Sequence, residues 1–171
     1  AGATLSYSEN EAATVIDNTI TITDDDDIEI DGGIVTISTG FTTGDILEFT
    51  TQNDISGTYD SSTGILTISG IASLSEYETA LRSITYHSTS EDLTITSDDR
   101  TINWVVTDAD SESLGAETSI LVTSTINITP INDAPVMSAG ATLSYSENEA
   151  ATVIDNTITI TDDDDIEIDG G

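Results

Sequence analysis

AGATLSYSENEAATVIDNTITITDDDDIEIDGG fills residues 1–33, and the same letters return unchanged at residues 139–171. A match of this length, with residue 139 repeating residue 1, marks a tandem array. The chain then holds one full period and the opening of the next. Within the repeated stretch, Thr19 to Thr23 sets Ile20 and Ile22 against threonines, the period-two signature of a strand. Thr4 to Tyr7 alternates in the same way, and Thr14 to Asp17 continues extended. The reading predicts one repeat over residues 1–133, with 134–171 supplying the linker end and first strands of the next, identical repeat. Thirty-odd residues of opening strands cannot bury a core by themselves. Residues 139–171 are therefore expected to add strands to a neighbouring molecule, as in strand exchange.

The rest of the period follows the same grammar. Ile34–Ser38, Ile46–Thr50, Ile55–Tyr59 and Ile65–Ser69 read as strands, with Gly32-Gly33 as a turn and Asp60–Gly64 as a hairpin loop. Ser73-Leu74-Ser75-Glu76 has the capping-box pattern, and Leu74, Tyr77 and Leu81 follow at helical spacing, so one short helix is predicted over 73–82. Ile84–His87, Leu93–Thr96, Thr101–Val106 and Thr118–Ile128 are further strands, and Ile102, Trp104 and Val106 share one face. Seven to nine short strands with a single helix predict an all-β fold, an antiparallel Greek-key sandwich.

Charge narrows the partners. Two basic residues stand against 33 acidic ones, for a formal charge of −31. Such a field repels nucleic acid and anionic membrane and draws in divalent cations. An acidic surface also serves solubility in salty surroundings, with no specific ligand behind it. No cysteine is present, which removes disulfides, thiol nucleophiles and Cys-based zinc sites. No apolar run approaches a membrane span and no signal peptide is seen, as expected of a piece of a longer protein.

The densest cluster is Asp24–Asp27 with Glu29 and Asp31, carboxylates that repel unless splayed into water or bridged by a cation. If the strand runs on through it, Ile28 and Ile30 point one way while Asp27, Glu29 and Asp31 share the other face. Asp108-x-Asp110-x-Glu112 offers a second set at every other position. Calcium takes six to eight hard oxygen ligands, and runs of Asp and Glu in turns supply them. The stretch from Asp27 resembles the start of an EF-hand loop, with Gly32 sixth, but Ser38 stands where the bidentate Glu belongs. It is not read as an EF-hand.

Leu5-Ser6-Tyr7-Ser8-Glu9-Asn10-Glu11, the aspartates after Thr23, Tyr77–Tyr86 and Ile131-Asn132-Asp133-Ala134-Pro135-Val136 together resemble the cadherin-like tandem repeats of large bacterial surface adhesins, including the extender modules of RTX adhesins. That resemblance implies calcium between consecutive domains. Its ligands would be Glu9 or Glu147, Asp24 and Asp26 or their copies Asp162 and Asp164, and the linker pair Asn132 and Asp133. Pro130 stands where the cadherin linker carries its first Asp, and the second linker Asn is missing. Asp108 and Asp110 are candidates for the upstream domain's share on spacing alone. Asp27, Glu29 and Asp31 form a separate candidate site within the domain.

The expected function is a calcium-binding spacer on the cell surface, holding an adhesive tip away from the cell. Adjacent identical repeats, head to tail, are the expected partners. One rival is a self-assembling extracellular fibre in which 139–171 completes a neighbour's sandwich; another is a carbohydrate-binding or hydrolytic domain. Enzyme chemistry is not expected. His87 is the only histidine, nothing marks a nucleophile elbow, and Trp104 reads as core rather than a sugar platform. Arg82 and Arg100 are expected to pair with surplus carboxylates.

Overall fold

A computed structural model describes residues 1–93, 97, 99–111, 113 and 115–167. It forms two compact units, Ala1–Pro130 and Ile131–Gly171.

In the first unit, alternating Ile, Val and Thr build strands whose apolar sides face one another across two sheets. In chain order these are β1 (Thr4–Ser8), β2 (Thr14–Val15), β3 (Glu29–Thr39), β4 (Asp45–Glu48), β5 (Ser56–Asp60), β6 (Ile65–Ser73), β7 (Thr85–Ser88), β8 (Asp99–Asp108) and β9 (Val122–Thr129). One sheet runs β1-β9-β8-β3-β6-β5 and the other β2-β7-β4. The pairs are antiparallel except β1 with β9, which run parallel from Thr4 opposite Thr125 to Ser8 opposite Thr129. Tyr7, Ile16, Val35, Leu47, Ile68, Tyr86, Ile102 and Ile126 belong to the buried core between the sheets. The predicted all-β sandwich is what forms.

Helix α1 (Leu74–Arg82) begins at the predicted cap: the Ser73 hydroxyl accepts from Glu76 N–H, and the Glu76 carboxylate accepts from Ser73 N–H. It buries Tyr77, Ala80 and Leu81. Both arginines find carboxylates. Arg82 lies 3.0 Å from Glu78, and the fully buried Arg100 donates to Asp45 at 2.7 Å. Arg100 also donates to the carbonyls of Leu93 and Ser97, at 2.8 and 2.7 Å. Those extra acceptors offset the desolvation of a buried ion pair.

Three local expectations are corrected. Gly32 and Gly33 are not a turn but lie inside β3, after a bulge between Ile30 and Gly32. A Cβ at Gly33 would sit 3.0 Å from the Val105 carbonyl, so the neighbouring strand's close approach, not a reversal, calls for glycine. The bulge resets the alternation, so that Ile30 and then Val35 and Ile37 turn inward; Ile28 lies ahead of β3 and is 74% exposed. Ile28 and Ile30 therefore do not share a face. Residues 19–23 form no strand in this unit: Thr19 belongs to a turn, and 20–23 pair with no sheet, held instead by α1 through Arg82 and Glu78. The predicted strand Leu93–Thr96 falls largely outside the described residues, although Leu93 itself is buried.

In the second unit the described pairing is β10 (Val136–Ser138) with β11 (Thr159–Thr161), antiparallel, with Met137 opposite Ile160. Its apolar side chains lie open: Tyr145 is 57% and Ile154 76% exposed.

Candidate metal centres

The first unit gathers its candidate ligands at opposite ends of the long sheet. At the end where β3 begins and β8 finishes, Ile30 pairs with Asp108. Here the Asp24 carboxylate accepts from the N–H groups of Asp26 and Asp27, at 3.2 and 2.9 Å. Those backbone donors, Asp27 first, hold the Asp24 carboxyl below its ordinary range. Asp26 moves the other way, raised by its hydrogen bond to the Asp24 side chain and by the charge of that carboxylate.

Asp27 reaches the β8–β9 connection, where its carboxylate accepts from Ser111 N–H at 2.7 Å and from the Ser111 hydroxyl. Ala109 N–H donates to the Glu29 carbonyl at 3.1 Å. The fold thus brings Asp27 and Glu29 beside the Asp108–Asp110 loop of their own unit, two groups that the sequence reading assigns to separate sites. The loop's carboxylates, however, already have work. Asp108 is 6% exposed and accepts from the N–H groups of Asp110 and Glu117, at 3.1 and 2.9 Å. Asp110, at φ 52°, accepts from Gly115 N–H at 2.8 Å. The first of these bonds is an Asx turn, and the other two tie the far side of the loop to the same carboxylates. Asp31 sits exposed at the bulge. Glu112 lies outside the described residues.

At the opposite end β1 and β9 finish together. Glu9 N–H donates to the Thr129 carbonyl at 3.1 Å, and the following turn is set by Asn10 at φ 62°. Glu9 is only 2% exposed. A carboxylate oxygen of Glu91 lies within 4.8 Å of one on Glu9, and the Asn10 amide donates to Glu91 at 3.3 Å. Sequence reasoning found Glu9 but missed Glu91. It sits in the segment after β7, with no motif or spacing that ties it to the Glu9 turn; only the fold brings the two together. Glu9 and the Asp24–Asp26 turn do not meet within this unit, because β3 spans the distance between them.

In the second unit, linker and acidic turn do meet. Asp133 N–H donates to the Asp164 carboxylate at 2.6 Å, and the Asn132 amide donates to the Asp133 carbonyl at 3.0 Å. The Asp162 carboxylate accepts from the N–H groups of Asp164 and Asp165, at 3.1 and 3.0 Å, the arrangement of Asp24 again. Glu147, the copy of Glu9, is exposed.

The donor set at all of these points is carboxylate and amide oxygen, without sulfur and without imidazole. That chemistry fits calcium and suits zinc poorly. His87 stands apart, 3.9 Å from Glu48. The groove of about 390 Å³ beside Leu47, Phe49 and Tyr59 has no free aromatic platform. Phe49 and Tyr59 pack on the core, and the Tyr59 hydroxyl donates to the Asp45 carbonyl at 2.6 Å. Burial first, with the charges of Asp45 and Asp60, pushes that phenol up to about 12.

Fold and site together define an acidic all-β sandwich repeat whose oxygen-rich clusters lie at the ends of its sheet. In sequence the chain is similar to Halomucin of Haloquadratum walsbyi (strain DSM 16790 / HBSQ001), 38% identical over 89 residues. The match takes in 47% of this chain and 1% of that protein, so Halomucin is many times longer than the chain. No family model matches, and no solved structure matches. Among the described residues no helix is long and apolar enough to cross a membrane.

Proposed function

We propose that this chain is a calcium-binding structural spacer repeat of a long extracellular surface protein, a non-enzymatic module working in an array of identical repeats. The observation that carries the reading is the buried Glu9 carboxylate with Glu91 beside it. Two carboxylates within 4.8 Å repel, and the buried Glu9 has less water to screen it than the exposed Glu91. A divalent cation held by Glu9 and Glu91 would turn that repulsion into attraction. Asp162, Asp164, Asn132 and Asp133 are the ligands proposed for the linker side. An ion there would remove the freedom of a Pro-flanked linker and stabilise the repeat by mass action. Extracellular calcium modules often bind at roughly 10⁻⁴–10⁻³ M. Similarity to a far longer protein supports the array.

The test is a thermal melt with calcium against chelator. Calcium is expected to raise the melting temperature, and Glu9→Gln to abolish most of the increment. An unchanged melt would reduce the acidic clusters to solvation.

A second reading draws on the open apolar side chains of 139–171: a fibre subunit whose tail completes a neighbour's sandwich. Sedimentation over a range of concentrations tests it, with a monomer throughout counting against it.

A further inference from the structure

The first unit carries an apolar groove of about 260 Å³ that no catalytic or metal reading uses. Ile20, Ile22, Leu81, Trp104, Ile120 and Val122 are among the residues that line it. Ile120 and Leu121 are 84% and 53% exposed, an uncovered patch at the mouth of the core.

Beside the groove runs segment 20–23, which pairs with no strand of this unit. Arg82 donates to the Ile20 carbonyl at 2.7 Å, and Ile22 N–H donates to Glu78 at 2.9 Å. In extended chain, alternate residues turn their backbone groups to opposite edges. Thr21 and Thr23 therefore present theirs away from α1, and among the described residues their backbone groups make no hydrogen bond.

The second unit indicates what belongs there. Thr159-Ile160-Thr161 copies Thr21-Ile22-Thr23 letter for letter, and it is paired. Thr159 lies opposite Ser138 and Thr161 opposite Val136, the same two positions left open in the first unit. Val136–Ser138 immediately precede residue 139, the copy of Ala1. In the first unit Thr125 N–H donates to the Ala3 carbonyl at 3.0 Å. A chain leading into Ala1 alongside β9 would thus come from the direction of Val122 and Ile120, along the groove.

We propose that this groove is a strand-acceptor site for the sequence Val136-Met137-Ser138, supplied by the residues that lead into a repeat from the one before it. The incoming strand bonds Thr21 and Thr23 as β10 bonds β11, and its Val and Met side chains fill the space over Trp104. Each repeat then owes its closure to its predecessor's linker. The proposal rests on the array reading above.

The test extends the full chain ahead of Ala1 by Ala-Pro-Val-Met-Ser, the sequence of residues 134–138. The control extension carries Asp in place of Val and Met. Chelator is present throughout, so a failed calcium reading leaves the result legible. The native extension is expected to slow amide exchange at Thr21 and Thr23 by about tenfold or more and to raise the melting temperature by several degrees. Equal exchange rates and melting temperatures for the two extensions would overturn the proposal.

Discussion

Residues 1–33 and 139–171 are one sequence in two surroundings. Much of their local conformation survives the change. Asp17 accepts from the N–H groups of Gly2, Ala3 and Thr19; Asp155 accepts from those of Gly140, Ala141 and Thr157. The Tyr7 hydroxyl donates to the Glu11 carbonyl at 2.7 Å, and that of Tyr145 to the Glu149 carbonyl at 2.5 Å. Asn10 and Asn148 both sit at positive φ, 62° and 65°. What differs is everything that requires distant residues. Tyr7 is fully buried against Tyr86, ring centroids 4.9 Å apart, while Tyr145 lies open. Asp17 takes a further bond from Ser124 at 2.7 Å, which itself accepts from Trp104. Strand pairing also changes: 4–8 pairs with β9 in the first unit, whereas 159–161 pairs with β10 in the second. Turn chemistry is thus written locally, and the sheets are not.

Matched substitutions break or sharpen this comparison. The largest split is expected at the tyrosines. Tyr7→Ala removes a core ring and should cost about 3–5 kcal/mol in denaturant unfolding. Tyr145→Ala should stay within about 0.5 kcal/mol. Equal losses would show that both copies bury the ring in solution.

Next come the aspartates. Asp17→Asn leaves buried donors poorly matched and should cost about 2 kcal/mol, whereas Asp155→Asn should barely alter the unfolding of the first unit. Burial alone would raise the Asp17 carboxyl, but the bonds from the Thr19 side chain, Ala3, Ser124 and Thr19 N–H outweigh it and hold it below the ordinary range. A depressed carboxyl contributes its stability above the unfolded value of about 3.9. That contribution is lost as pH falls below it toward the folded value. Acid titration of the first unit should therefore become shallower below pH 4 in Asp17→Asn.

A smaller effect tests the helix that holds Ile20 and Ile22. Ser73→Ala removes the capping hydroxyl and should cost about 1 kcal/mol, read as a shift in denaturant midpoint at constant slope. The smallest is Ser6→Ala, at an exposed position of β1, expected within about 0.5 kcal/mol. A larger loss there would mean that the outer face of β1 is covered in solution.

Much of the fold was legible. The alternation of Ile102, Trp104 and Val106 and the Ser73–Glu76 box carry period and cap in adjacent letters, so sandwich and helix could be read directly, whereas Ile20 and Ile22 alternate without forming a strand in the first unit. Gly32-Gly33 misled because a glycine pair serves a turn and a crowded strand alike. The candidate site was legible only in part. Asp24, Asp27 and Asp108 announced themselves by density, yet Asp108 and Asp110 spend their carboxylates on loop amides. Glu91 carried no signal, since its nearness to Glu9 depends on how the chain returns after β7.

The sequence by itself determined the acidity, the period, the strand and cap chemistry, and the Asx turns that reappear in both copies. Those depend on groups a few residues apart. Which tyrosine is core, whether Thr21–Thr23 pairs, and which carboxylates face one another were decided only by tertiary structure. Burial and long-range pairing belong to surfaces assembled from distant segments, and an identical stretch of 33 letters cannot specify them twice over.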